Sequence, residues 1–142
     1  MPVRILLVDD EKDFVETLAE RMRTRGMEVE TATSAREALA KVEVTPFDAV
    51  VLDLQMPDMD GLAALEKMKN RDPKLQVILL TGQATVQKGV EAIKLGARDL
   101  LEKPADIDTL TREIQEAHAH RMVMVSEEAE AKVREILSSK GW

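Results

Sequence analysis

Three aspartates, a threonine and a lysine each stand at the end of a short apolar run. Asp9 and Asp10 follow Val3–Val8, Asp53 follows Ala49–Leu52, Thr81 follows Val77–Leu80, and Lys103 follows Leu100–Leu101 across Glu102. Carboxylates drawn close together cannot all stay ionised without compensation, because like charges raise one another's pKa. A shared proton, a cation or both would relieve them. A hard divalent ion bound through oxygen suits such a set, and Mg2+ takes only a few carboxylates while keeping several of its waters. With such an ion and Lys103 neutralising phosphoryl oxygens, a carboxylate can attack phosphorus and become an aspartyl phosphate.

These residues converge only if the runs lie side by side. A further run, Met27–Ala32, delivers no such group, and helical periodicity fills the intervals between runs. Strands alternating with helices imply a parallel sheet whose carboxyl ends share one edge, where ligands bind in open α/β sheets. Glu11–Arg25 carries Phe14, Leu18 and Met22 at i, i+4, i+8, with Val15 beside them and Gly26 as the stop. Ser34–Glu43 opens with Ser34 and Glu37 in capping-box spacing and puts Ala35, Ala38, Leu39 and Val42 on one stripe. Gly61–Asn70 carries Leu62, Leu65 and Met68 before Asp72-Pro73; Thr85–Leu95 carries Val86, Val90 and Ile93 before Gly96. Asp106 can cap a fifth helix with an inner face of Ile107, Leu110, Ile114 and Ala117.

The runs ending at Val8, Leu52 and Leu80 are nearly continuous in Val, Ile and Leu, as strands covered on both faces are. Met27-Glu28-Val29-Glu30 alternates and suits a sheet edge. The expectation is a doubly wound, five-stranded parallel sheet of order 2-1-3-4-5, a flavodoxin-like three-layer sandwich. Residues 1–121 form this domain, and 122–142 form a helical C-terminal extension.

The 142 residues, 44% of them apolar, suffice for one core. No stretch has the length and apolarity of a membrane span or signal peptide, so no membrane partner is expected. The lack of cysteine removes disulfides and thiolate metal sites, and accords with a reducing, cytoplasmic setting. A net charge of -7 opposes direct nucleic-acid binding, which needs clustered Lys and Arg.

In combination and in this order, Asp9-Asp10, Asp53, Met56-Pro57-Asp58-Met59-Asp60-Gly61, Thr81 and Lys103-Pro104 resemble the response-regulator receiver domain of two-component signalling. The resemblance spans residues 3 to about 120. It implies a phosphorylation-controlled switch that acts on itself and is not an enzyme for other substrates. Asp53 would accept the phosphoryl group from a phosphohistidine of a sensor histidine kinase or phosphotransfer protein. Asp10 and Asp53 would ligate Mg2+, Asp9 would act mainly through a metal-bound water, and the Gln55 carbonyl would add another oxygen. Lys103 would pair with the phosphoryl oxygens, and the Lys103-Pro104 peptide is a candidate for the cis form. Thr81 would hydrogen-bond the phosphate and draw its loop inward, altering partner binding through helix four, strand five and helix five. The family places Tyr or Phe three residues before this lysine; the chain has Leu100, which weakens that coupling.

Singly, each residue has a plainer reading. An Asp after a strand can merely cap the next helix, Thr81 can bond to backbone, and Lys103 can be solvated. Asp58 and Asp60 fit turn and helix-start roles. His118 and His120, two apart, point to different helix faces and are expected to face solvent without binding metal. Haloacid-dehalogenase-type phosphatases also form an aspartyl phosphate, yet their nucleophile is followed two residues later by a catalytic Asp, where this chain has Gln55. A pseudo-receiver that binds partners without phosphorylation, and the receiver part of a larger regulator with an output domain, are the alternatives. In the tail, Ser126 can cap a helix with Ala129, Val133, Ile136 and Leu137 on one stripe. That helix would fold back on the domain, join a homodimer or other partner, or begin a linker.

Overall fold

The computed structural model describes residues 2–83 and 85–140. Strands β1 (Arg4–Val8), β2 (Glu28–Ala32), β3 (Ala49–Leu52), β4 (Gln76–Thr81) and β5 (Asp99–Glu102) alternate with five helices. These are α1 (Lys12–Thr24), α2 (Ala35–Val44), α3 (Gly61–Arg71), α4 (Val86–Lys94) and α5 (Ile107–Ser139). All strand pairs are parallel, in the order β2-β1-β3-β4-β5. The alternating strand β2 is at an edge, where its glutamates reach water, and β1, β3 and β4 are central.

Side chains alternate across each strand, so the sheet divides two apolar layers. Ile5, Leu7, Val51, Ile78 and Leu80 pack with Val15 and Met22 of α1 and with Leu110, Ile114 and Ala117 of α5. Leu6, Val8, Val50, Leu52 and Leu79 pack with α2, with Leu65 and Met68 of α3, and with Ala92 of α4. The result is the flavodoxin-like three-layer sandwich. Truncating a fully buried residue such as Leu65 to Ala would cost about 2–5 kcal/mol.

Local signals set the helix ends. Ser34 Oγ accepts from the Glu37 N–H at 3.1 Å, while Glu37 Oε1 accepts from Thr33 N–H at 2.8 Å, one residue further out than a simple capping box. Asp60 caps α3 by accepting from Leu62 N–H, and Asp106 caps α5 by accepting from Thr109 N–H. Gly26 and Gly96 end α1 and α4 with φ of 86° and 100°, which L side chains rarely adopt.

Three details depart from the periodicity. The stripe that marks α4 faces outward: Val86, Val90 and Ile93 are 86%, 49% and 54% exposed, and the small Ala92 faces the sheet. The extra C-terminal helix is present, but as an unbroken continuation of α5. Ser126 lies inside that helix instead of capping a new one, and Gly141 and Trp142 lie outside the described residues. From Val125 to Lys140 every residue is exposed. Finally, His120 faces solvent but His118 does not. As α5 crosses the amino-terminal edge of the sheet, His118 Nδ1 comes within 2.9 Å of Asp48 Oδ1, beside Arg121–Asp72 at 3.0 Å.

Candidate functional site

Strand register assembles the site. Val8 pairs with Leu52, and the ladder runs one residue beyond: the Asp53 N–H donates to Val8 O at 3.0 Å, and the Asp9 N–H to Ala32 O at 3.1 Å. Asp9 and Asp53 therefore leave adjacent strands at the same level. On the other side Thr81 pairs with Glu102, and the Lys103 N–H donates to Thr81 O at 2.8 Å. The carboxyl edge of the sheet thus presents Asp9, Asp53, Thr81 and Lys103 from four neighbouring strands, with Asp10 beside Asp9.

Ligand oxygens of Asp9, Asp10 and Asp53 all lie within 4.8 Å of one another, with Asp9 and Asp53 buried and Asp10 exposed. One cation can therefore touch all three, and this donor set of hard oxygens open to water on one side fits Mg2+. Lys103 Nζ lies 2.6 Å from Asp9 Oδ2 and 3.5 Å from Asp53 Oδ2. Asp9 Oδ1 accepts from Glu11 N–H at 2.9 Å, and Asp53 Oδ1 accepts from Gln55 N–H at 3.1 Å.

The electrostatics are unequal. Burial, with the charge of Asp9, raises the Asp53 pKa above the usual carboxylate value, against the lowering effects of Gln55 N–H and Lys103. Burial alone would lower Lys103, but the hydrogen bond and charge of Asp9, with Asp53 and Glu11, outweigh it and raise its pKa. The lysine therefore stays cationic.

The loop after β3 closes the site. Gln55 is bridged to Asp60, and its side-chain amide donates to Gln83 Oε1 at 3.2 Å, linking this loop to the one after β4. Thr81 is fully buried and its Oγ1 accepts from Gln83 N–H at 3.4 Å; among the described residues it makes no hydrogen bond to Asp53. The Lys103–Pro104 peptide is cis. Leu100 is half-buried, beside Gly89 of α4.

The structure adds partners that the sequence did not reveal. Asp58 accepts from both Ala35 N–H (3.1 Å) and Arg36 N–H (3.0 Å), so it caps α2, a helix more than twenty residues away in the chain. The oxygens of Asp58 lie at a helix amino terminus, and these hydrogen bonds lower its pKa. Phe14 sets its ring under the Lys103 ammonium, 4.4 Å from the centroid. In the sequence, only the place of Phe14 near the start of the first helix, four residues after Asp10, hinted at that.

Known proteins converge on the same class. A family model described as the response regulator receiver domain matches residues 5–115, and the chain belongs to that family. It is 38% identical over 125 residues to the transcriptional regulatory protein ZraR of Escherichia coli O157:H7, covering 88% of this chain but 28% of ZraR. The chain thus spans little more than a quarter of that relative's length. Among solved structures, a CheY-like receiver domain protein from Methanospirillum hungatei JF-1 superposes with a TM-score of 0.84 at 31% identity, covering 87% of this chain and 99% of that one. A response regulator from Burkholderia pseudomallei, solved with a phosphorylated aspartic acid, calcium ion and citrate, gives 0.76 at 26% identity, covering 98% and 86%.

Proposed function

We propose that the chain is a phosphorylation-controlled switch whose phosphoacceptor is Asp53. The observation that carries this reading is a buried carboxylate held between two further aspartates and the Lys103 ammonium at the carboxyl edge of the sheet. The donor is a phosphohistidine on a sensor histidine kinase or phosphotransfer protein. An Asp53 carboxylate oxygen forms the new P–O bond as the P–N bond breaks, and the imidazole nitrogen leaves with the bonding pair. Mg2+, held by Asp10 and Asp53 with the Gln55 carbonyl and, through water, Asp9, would offset charge on the phosphoryl oxygens. Lys103 meets the same charge, and its flexible stem lets the ammonium move from Asp9 to a phosphoryl oxygen. Thr81 Oγ1 can donate to the phosphoryl group once it turns from Gln83, which draws the following loop inward. The solved relative with a phosphorylated aspartic acid and a divalent ion supports the chemistry.

The output follows from adjacency. Thr81 and Lys103 sit at the ends of β4 and β5, so their movement bears first on α4, β5 and α5, where a downstream protein would dock; a second copy of the chain is a further partner through α5. Incubation with Mg2+ and acetyl phosphate, followed by intact mass, tests the reading. The wild-type protein should gain one phosphoryl group and Asp53→Asn none. Equal labelling of both would remove Asp53 from the role, and no labelling of a folded wild-type protein would favour a pseudo-receiver.

A further inference from the structure

Lys103 has more places to go than the chemistry needs. Its ammonium sits 2.6 Å from Asp9, 3.5 Å from Asp53 and 4.0 Å from Glu11 Oε1, and Glu11 is largely exposed at the rim. A lysine head on a flexible four-carbon stem makes no fixed fork, so carboxylates alone leave it free to swing toward the rim. What it has in addition is an aromatic face, the Phe14 ring at 4.4 Å. The chain has only two phenylalanines and no tyrosine. Phe47 is fully buried in the core, whereas Phe14 stands half-buried at the first turn of α1, packed at the margin of the core with its ring face toward the ammonium. The electron-rich face of a ring attracts a cation, and the attraction grows when water is excluded; Lys103 is only 17% exposed.

We propose that Phe14 is a positioning residue for Lys103: its ring face holds the ammonium beside Asp9 and Asp53, and so sets how fast the phosphoryl group is accepted. This rests on Asp53 being the phosphoacceptor. Phe14 offers no oxygen or nitrogen to a metal or a phosphoryl group; it acts through the lysine. Leucine in its place would fill similar volume without the ring's electrostatic face.

Site-specific replacement of Phe14 by mono-, di- and trifluorinated phenylalanine keeps the shape and drains the ring face stepwise. The rate of labelling by acetyl phosphate should fall with each fluorine, to about three- to tenfold below wild type for the trifluoro ring, with Phe14→Leu at least as slow and Phe14→Tyr restored. Mg2+ affinity should not move. In the unlabelled protein the ring should also shift the Lys103 ε-methylene proton resonances upfield, a shift lost in Phe14→Leu. Rates that stay flat across the fluorinated series while wild type labels normally would overturn the role of Phe14 and leave the receiver chemistry standing. A folded wild type that shows the ring shift but never labels would overturn the receiver reading itself. An unshifted lysine resonance in wild type would overturn the placement whatever the rates.

Discussion

Asp53, the proposed phosphoacceptor, carries its charge at a cost. Burial and the neighbouring Asp9 raise its pKa, so ionised Asp53 is less favourable in the folded chain than in the unfolded chain. A carboxylate with a raised folded pKa detracts from stability above that pKa, and the deficit disappears as pH falls through it. Asp53→Asn should therefore melt a few degrees higher than wild type at neutral pH without divalent ions, and the gain should shrink as the buffer is taken below the raised pKa. Thermal melts at a series of pH values check the sign: a gain that grows on acidification would mean that Lys103, and not burial, dominates Asp53. Asp53, Asp9, Asp10, Thr81 and Lys103 were legible in the sequence because each ends an apolar run. The contacts of Asp58 and Phe14 were not, because their partners, the start of α2 and the lysine after β5, come close only through tertiary packing.

At the level of elements, the β3–α3 loop shows why a short motif is sensitive to a single methyl group. A Cβ on Gly61 would lie 2.4 Å from Leu54 Cα and 2.6 Å from its carbonyl oxygen, so no side chain fits while Gly61 N–H donates to that oxygen. Gly61→Ala must push the loop open, at a cost of about 1–3 kcal/mol, and loosen the Gln55 N–H that holds Asp53. Denaturant melts and labelling rates should both fall; an unchanged midpoint would show that the loop relaxes freely. The α4 stripe illustrates the limit of periodicity. Val86, Val90 and Ile93 repeat as a buried face would, and the period correctly predicts a helix, but it is Ala92 that the sheet accepts. Which side of a helix packs depends on the room between neighbours, and pattern alone does not record that. The outward stripe adjoins Leu100, which meets Gly89 where the family has an aromatic ring. A leucine has less area to relocate when Thr81 turns, so beryllofluoride should slow amide exchange in the loop after Thr81 clearly and in α4 and β5 only modestly. Changes confined to α1 and α2 would contradict that route.

Across the whole molecule, α5 joins the domain to its surroundings. Its first part is core, through Leu110, Ile114 and Ala117; its middle is tied to the sheet's amino-terminal edge by His118–Asp48, Arg121–Asp72 and Lys74–Glu128. Beyond those pairs it runs on fully exposed to Ser139. The tail's helical period was readable in the sequence, but its fusion with α5 was not, because Ser126 looks like a cap and no glycine or proline marks continuity or a break. A free helix of about fifteen residues is marginal in water, so this one needs an apolar partner to persist. Met122, Ala129, Val133 and Ile136 are separated by seven, four and three residues, the repeat of a coiled-coil seam, and a seam of that kind is matched by another helix with the same repeat. Val86, Val90 and Ile93 of α4 show the same four- and three-residue spacing on an exposed face, but over two turns only; the longer seam on α5 is the one along which a second copy would pair. Such a dimer would leave the carboxyl edge of both sheets open to a phosphodonor, because the tail leaves from the opposite edge. Light scattering on the full chain should then give a molar mass that rises toward the dimer with concentration. Val133→Asp with Ile136→Asp should hold it at the monomer while Asp53 labels at the wild-type rate. A wild-type chain that stays monomeric at every concentration, with and without beryllofluoride, would rule out self-pairing along this seam.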